Sequence, residues 1–205
     1  MSNKLTKWGL ILKKQEMTQL WVNDELVPVT LLKLVPQEVV RHKVVSKDGY
    51  NALVVWAEKK ELNKDKGIKV RYKYMTEFKV DEDLLNRYQP GQILTLDVIP
   101  EDVEKVVLTG ISKWKGFQGV VRRFGFSWGP ETHGSQFHRH PWGIGNRKPR
   151  RVNKWHPLPW HMGLEKVTIK NVKIVDRFKL DNEELLAVKG SVPGWYGWYV
   201  KLEIR

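Results

Sequence analysis

Residues 111–163 read ISKWKGFQGVVRRFGFSWGPETHGSQFHRHPWGIGNRKPRRVNKWHPLPWHMG. Taken through Leu164, this stretch holds ten Lys and Arg against a single acid, Glu131, a net charge of +9. The same 54 residues carry five of the six His, eight of the 16 Gly, five of the ten Pro and nine aromatics, with few aliphatic side chains. Such a composition cannot bury a core of its own. A structureless run this long is unusual in a compact domain unless something else orders it, and the charge selects a polyanion.

The flanks differ in kind. They hold 26 bases and 22 acids, only +4. Leu10 to Leu34 reads as short strands around an Asn23-Asp24 turn, a hairpin pattern. Val39–Val45, Ala52–Ala57 and Lys69–Tyr74 are further β-like runs, separated by Asp48-Gly49 and the charged stretch Glu58–Lys66. Val80–Tyr88 predicts a helix that Asp81 or Asp83 can cap, and Gln92–Ile99 and Lys105–Ile111 predict strands. Val167–Phe178 and Glu184–Val188, around an Asp181-Asn182 turn, and Trp198–Ile204 complete the pattern. Strands before and after a long insertion imply one β domain whose two halves share a sheet or barrel. The expected architecture is therefore mainly β: a barrel with a small helical element from residues 1–110 and 165–205, and a basic extended loop over 111–164.

Composition excludes several functions. With 205 residues, 41% hydrophobic, the chain has enough apolar surface for one core. Zero Cys removes disulfides, thiolate metal sites and cysteine nucleophiles, which suits a reducing cytosol. No apolar run is long enough to span a membrane, and the first residues lack a signal-peptide pattern. An anionic-membrane binder would place its bases on one face of an amphipathic helix, which the scattered Gly and Pro oppose. His133, His138, His140, His156 and His161 have no acidic or Cys partner for a metal, and the surrounding bases repel a divalent cation. Thr132-His133-Gly134-Ser135 puts a hydroxyl near an imidazole, but adjacency is not triad geometry. The Gly-rich Gly116–Gly119 and Gly143–Gly145 lack nucleotide-loop spacing.

What remains is RNA chemistry. Lys and Arg attract backbone phosphates, and Arg adds a planar fork of donors. Interleaved Gly lets the main chain approach phosphate oxygens. Phe117, Phe124, Phe126, Phe137 and the His rings can stack on unpaired bases of folded RNA. A solvated basic loop would have no use for nine aromatics.

Leu108–Arg123 (LTGISKWKGFQGVVRR), Gly129–Ser135 (GPETHGS), His138-Arg139, Gly143–Gly145, Arg151-Val152, His161–Gly163 (HMG) and Val188–Gly194 (VKGSVPG) form a recognisable set. Together with Gly9-Leu10-Ile11, Lys13-Lys14, Met17-Thr18-Gln19, Gly49-Tyr50 and Ala52, they resemble the bacterial-type third protein of the large ribosomal subunit nearly end to end. The resemblance implies a translation-protein-type β-barrel whose extension runs through 23S rRNA towards the peptidyl transferase centre. It implies direct rRNA binding, support of early subunit assembly and contact with neighbouring ribosomal proteins in the cytoplasm. It implies no catalysis; together with the residue readings above, no cofactor, metal, membrane or small-molecule substrate is expected. The rival is an extraribosomal RNA-binding or RNA-modifying protein, which would need a cofactor pocket.

Carried over from the resemblance, Lys113, Lys115, Phe117, Gln118, Arg122 and Arg123 would line the mouth of the extension. Thr132, His133, Gly134, Ser135, His138 and Arg139 would sit deeper, and Gly143, Gly145 and Asn146 near the tip. Arg147, Arg150, Arg151, Lys154 and His161 would lie on the return. The sequence departs from the pattern at Asn146, where a methylatable Gln is common, and at Leu12 and Glu16, where Gly is usual.

Trp114, Trp128, Trp142, Trp155, Trp160 and Trp198 also fall where the resembled family carries Gly. Gly serves where φ is positive or the backbone presses on a ligand, and an indole meets neither demand. The substitutions point to UGA codons written as Trp but read as Gly by the organism. The other reading is a set of real indoles that stack on bases. Trp21 stands where an aromatic is ordinary in that family.

Overall fold

The computed structural model describes residues 8–59, 72–180 and 183–204. It divides into two compact units, Met1–Ile111 with Lys166–Arg205, and Ser112–Glu165. The first unit begins with β1 (Gly9–Val22) and β2 (Glu25–Leu34), followed by β3 (Gln37–Lys43), α1 (Val45–Asp48), β4 (Ala52–Lys59) and β5 (Tyr72–Lys79). Next come α2 (Glu82–Arg87), a 3₁₀ turn at Leu96–Val98 and β6 (Lys105–Ile111). The second unit holds β7 (Gly116–Gln118), α3 (Val120–Phe124) and β8 (Trp160–Met162). The chain returns to the first unit through β9 (Lys166–Leu180), β10 (Glu183–Lys189) and β11 (Tyr199–Ile204).

Six strands close a barrel in the order β1-β11-β6-β9-β10-β2, with every neighbouring pair antiparallel. Strands from both sequence halves, β1, β2 and β6 and then β9, β10 and β11, are needed to close it. The β1–β2 hairpin turns through Asn23 and Asp24 at φ +48° and +61°, the twist that a two-residue hairpin requires. Leu10, Ile11 and Leu12 are all fully buried, so this end of β1 is covered on both faces and reads as an unbroken apolar triplet. The inserted Leu12 pairs with Leu34 and Val200, while Glu16 lies exposed in the β-bulge between Lys14 and Met17.

A second sheet, β3-β4-β5, adds Val39, Leu53, Val55 and Phe78 to the core that Leu10, Leu32, Leu108, Leu186 and Leu202 form. Buried Gln37 fastens β3 to β1: the Ile11 amide donates to its Oε1 at 2.9 Å, and its Nε2 donates to the Ile11 carbonyl at 3.1 Å.

Several expected elements need correction. Gln92–Ile99 is not a strand; it makes one bridge, Glu38 to Ile93, and then the 3₁₀ turn. Its amides find partners elsewhere, Leu94 on the Gln37 carbonyl and Leu96 on the Glu184 carboxylate, so its apolar residues are buried without a ladder. The run Val39–Val45 stops pairing at Lys43, and Val45 opens α1. Asp81 stands at the N-cap of α2, but its side chain makes no capping bond. β5 continues to Lys79, five residues past the predicted Tyr74; residues 69–71, the Asp181-Asn182 turn and most of the charged stretch 58–66 lie outside the described residues.

Glu58, at the end of β4, joins the two sheets. It meets Lys13 Nζ at 2.8 Å, Lys73 Nζ at 3.0 Å and the Tyr199 hydroxyl at 2.6 Å. Burial alone would raise its carboxyl, but the hydrogen bonds from Lys13, Tyr199 and Lys73 prevail and lower it from 4.5 to about 2. A depressed carboxylate stabilises the fold above its unfolded value and stops doing so as pH falls through its folded one. Glu58→Gln is therefore expected to lower stability at about pH 7, on the order of 1–3 kcal/mol. In denaturant melts that deficit shrinks as pH falls below 4.5 and vanishes near about 2; a deficit independent of pH refutes the charge assignment.

Candidate nucleic-acid interface

The basic segment is not structureless. It leaves β6 at Ile111 and rejoins β9 at Lys166, and these two residues are register partners in the barrel. Within the second unit, the Ser112 amide donates to the Glu165 carbonyl at 2.9 Å and the Lys115 amide to Met162 at 3.0 Å. β7 then pairs with β8, placing Phe117 opposite His161 and Gln118 opposite Trp160. Gly163 is essential to this stem: its φ is +90°, and a Cβ there would stand 2.2 Å from the Lys113 carbonyl oxygen. The His161 ring nitrogen Nε2 lies 2.9 Å from the Gly163 carbonyl, so the HMG motif fixes its own turn.

α3 follows, ended by Gly125 in the left-handed conformation. Arg123 donates to the Leu158 carbonyl at 2.7 Å and lies over the Phe124 ring, tying the outgoing chain to the return. Arg122 reaches Gln118 Oε1 at 3.3 Å, and Gln118 in turn donates to the Lys115 carbonyl. Val120 is the one buried hydrophobic residue of this unit among those described, which accords with the absence of an aliphatic core.

Further out, the Gly129 amide donates to the His138 carbonyl at 2.9 Å, and a Cβ on Gly129 would stand 2.1 Å from the Phe137 carbonyl oxygen. His138 Nδ1 lies 2.9 Å from the Pro130 carbonyl, which as an acceptor requires the proton on Nδ1. The intervening loop turns on His133 and Gly134, at φ +58° and +73°, and leaves Thr132 and His133 exposed and Ser135 half-buried. Arg139 lies 5.8 Å from the Trp128 ring centre. Gly143, Gly145, Asn146, Arg147, Arg150, Arg151 and Lys154 are all exposed in irregular backbone.

The sequence-derived residues thus fall into a root group, Lys113, Lys115, Phe117, Gln118, Arg122, Arg123 and His161, and a loop group, Thr132, His133, Gly134, Ser135, His138 and Arg139. The remaining residues form no compact cluster. Sequence reasoning overlooked Lys148, exposed beside Arg147, and the two architectural glycines, Gly129 and Gly163. Both glycines sat inside the quoted motifs, but only the close backbone approach explains them. Among the described residues no three His, Asp or Glu converge on a metal-sized site.

The electrostatics separate the two units. All eight ion pairs among the described residues lie in the barrel unit. Lys113, Lys115, Arg147, Lys148, Arg150, Arg151 and Lys154 have side chains with no ion pair, hydrogen bond or ring contact among the described residues. Like charges left unpaired among the described residues of one unit repel each other and favour an anionic partner.

The six Trp at expected Gly positions are all exposed, and none of their indole N–H groups donates a hydrogen bond among the described residues. Trp155 is 97% exposed and sits at φ +66°, a turn conformation suited to Gly. The other five have no positive φ, so backbone strain argues at position 155 alone. Trp114 packs on His161 with ring centres 4.3 Å apart, and Trp198 meets Trp195 edge-on.

Comparison with known proteins bears on the whole chain. The Ribosomal protein L3 family model matches residues 92–188, which include the entire basic unit. The chain is 42% identical over 205 residues to the large ribosomal subunit protein uL3 of Oceanobacillus iheyensis, covering 95% of each. It is 41% identical over 200 residues to uL3 of Thermotoga maritima, covering 93% of this chain and 94% of the relative. With uL3 of Carboxydothermus hydrogenoformans the identity is 39%, over 92% of this chain and 93% of the relative.

Peptide mass spectrometry of the protein purified from its own cells is expected to return glycine at positions 114 and 142. Tryptophan at both would end the recoding reading and leave those indoles as base-stacking groups.

Proposed function

The chain belongs to the Ribosomal protein L3 family and is a structural, non-enzymatic protein of the large ribosomal subunit, and from that premise we propose that its second unit binds 23S rRNA directly. In this reading Ser112–Glu165 is an arm that runs into folded rRNA towards the peptidyl transferase centre and helps order it early in subunit assembly. The barrel carries the arm and meets neighbouring ribosomal proteins. The protein then acts in the cytoplasm as a ribosomal component.

The observation that carries the reading is the set of seven cations without a partner among the described residues, in a unit whose described residues include one buried hydrophobic side chain. Phosphate oxygens would supply the missing acceptors: Arg147, Arg150 and Arg151 offer planar forks, while Lys113, Lys115, Lys148 and Lys154 offer point charges. Phe117, 69% exposed on the stem, and the exposed rings of Phe124, Phe126 and Phe137 would stack on unpaired bases. Gly143 and Gly145 have open space where a Cβ would be, which leaves their amides accessible to a phosphate. Asn146 would lie among them without the methylatable Gln. Thr132, His133, Ser135, His138 and Arg139 form the second contact group, fixed by the Gly129 to His138 closure.

Release of counterions makes such binding salt-dependent. Between about 50 and 200 mM salt, affinity of the full chain for 23S rRNA fragments is expected to fall on the order of 10³–10⁵-fold. Replacing residues 113–163 by a short Gly-Ser turn should abolish most binding, while Ile111 and Lys166, already paired, keep the barrel closed. Equal binding by this armless protein, with its circular dichroism and melting intact, refutes the arm as the RNA-binding element. On sucrose gradients the full chain should migrate with the large subunit.

A further inference from the structure

The β1–β2 hairpin continues past the barrel. β1 pairs with β11 only over Gly9–Lys13, and β2 pairs with β10 only over Val29–Lys33, so Met17–Pro28 is a two-stranded ribbon beyond them. Strand alternation sorts its side chains onto two faces. Thr18, Leu20 and Val22 face the same way as Val29, Val27 and Glu25; this side borders a groove completed by Lys173, Ile174 and Val175 of β9. Met17, Gln19 and Trp21, with Pro28 and Leu26 opposite, lie on the other side around a shallow apolar depression. Trp21 and Leu26 are direct cross-strand partners, 75% and 49% exposed, and Met17 is 50% exposed.

We propose that this outer face docks a neighbouring protein of the large subunit through a Lys- or Arg-bearing segment that lays an apolar side chain over Trp21 and Leu26. Charge selects the partner. No Lys or Arg occurs between Lys14 and Lys33, although the chain as a whole carries a net +13. The ribbon instead presents Glu16 in its bulge and Asp24 in its turn, both exposed and free of ion pairs among the described residues, while Glu25 lies on the groove side. A polyanion is repelled by these two carboxylates and gains nothing from the apolar stripe, whereas a basic protein segment gains from both. A large exposed aromatic beside aliphatic neighbours is the composition of an interface centre, and the surrounding acids supply a polar rim. Pro28 has no amide hydrogen, and its carbonyl accepts the Gly190 N–H, so the β2 edge is closed to an added strand and the contact is made by the face. The inference rests on membership of the large subunit and not on the path of the arm.

The test places a photoreactive phenylalanine analogue at position 21 of the full-length chain in purified large subunits. After irradiation, nuclease and protease digestion, the cross-linked peptide is sequenced. The expected product is a peptide of one other ribosomal protein, with Lys or Arg close to the linked residue. Cross-links to rRNA, to a second copy of this chain, or to nothing overturn the proposal. A second measurement uses the pair Trp21→Ser with Leu26→Ser, whose exposure leaves the barrel's melting unchanged. Retention of the cross-linked neighbour after a salt wash should fall on the order of tenfold or more. Unchanged retention also overturns the proposal.

Discussion

The ring of hydrogen bonds that closes the barrel is the constraint on which the rest of the molecule depends. β11 sits between β1 and β6, and β6 hands the ladder on to β9. Each strand therefore has a hydrogen-bonded neighbour on both sides, and the ring has no terminal strand. Closure fixes the inward-facing residues of both sequence halves in one core. It also brings Ile111 and Lys166 side by side, so a long excursion can be spliced in without disturbing register.

This separation of labour explains the opposite chemistry of the two units. The barrel pays for its order with buried Leu, Ile, Val and Phe and neutralises its surface charge internally, as at Glu58. The arm has no such means. Its shape is set by a few backbone devices: the crossing at Gly163, the closure from Gly129 to His138, and Arg123 on the Leu158 carbonyl. Those devices give local geometry while leaving the cations unsatisfied. A protein that had to fold and bind with the same residues would face a conflict between pairing its charges and offering them.

Much of this was legible in the sequence, for identifiable reasons. The Asn23-Asp24 hairpin, β6, β9, β10 and β11 all announce themselves through β-branched or alternating residues between turn signals. The net charge and glycine content of the basic segment follow from composition alone. Gln92–Ile99 misled because burial of Leu94, Leu96 and Ile99 imitates a strand, while the amides that decide pairing leave no trace in side-chain identity. The lengthening of β5 to Lys79 was hidden because Glu77 and Lys79 interrupt the apolar pattern on the open side. At the candidate interface, residue types supply the proposed chemistry, but the pairing of Phe117 with His161 across the stem and the lack of partners for seven cations among the described residues depend on the folded backbone.

The position of β11 carries a consequence for biosynthesis. The strand that completes the ring, Tyr199–Ile204, follows all the other described strands in chain order, and β1 and β6 both wait for it. A nascent chain shorter than this has two unpaired strand edges and an unfinished core, so the barrel cannot mature while the chain is still being elongated through these residues. The basic unit Ser112–Glu165 is made earlier, and leaves the tunnel before the barrel is closed. During that interval the nascent polypeptide is a polycation with sticky edges, and a chaperone that shields it would need to recognise basic, glycine-rich chain and bare strand together.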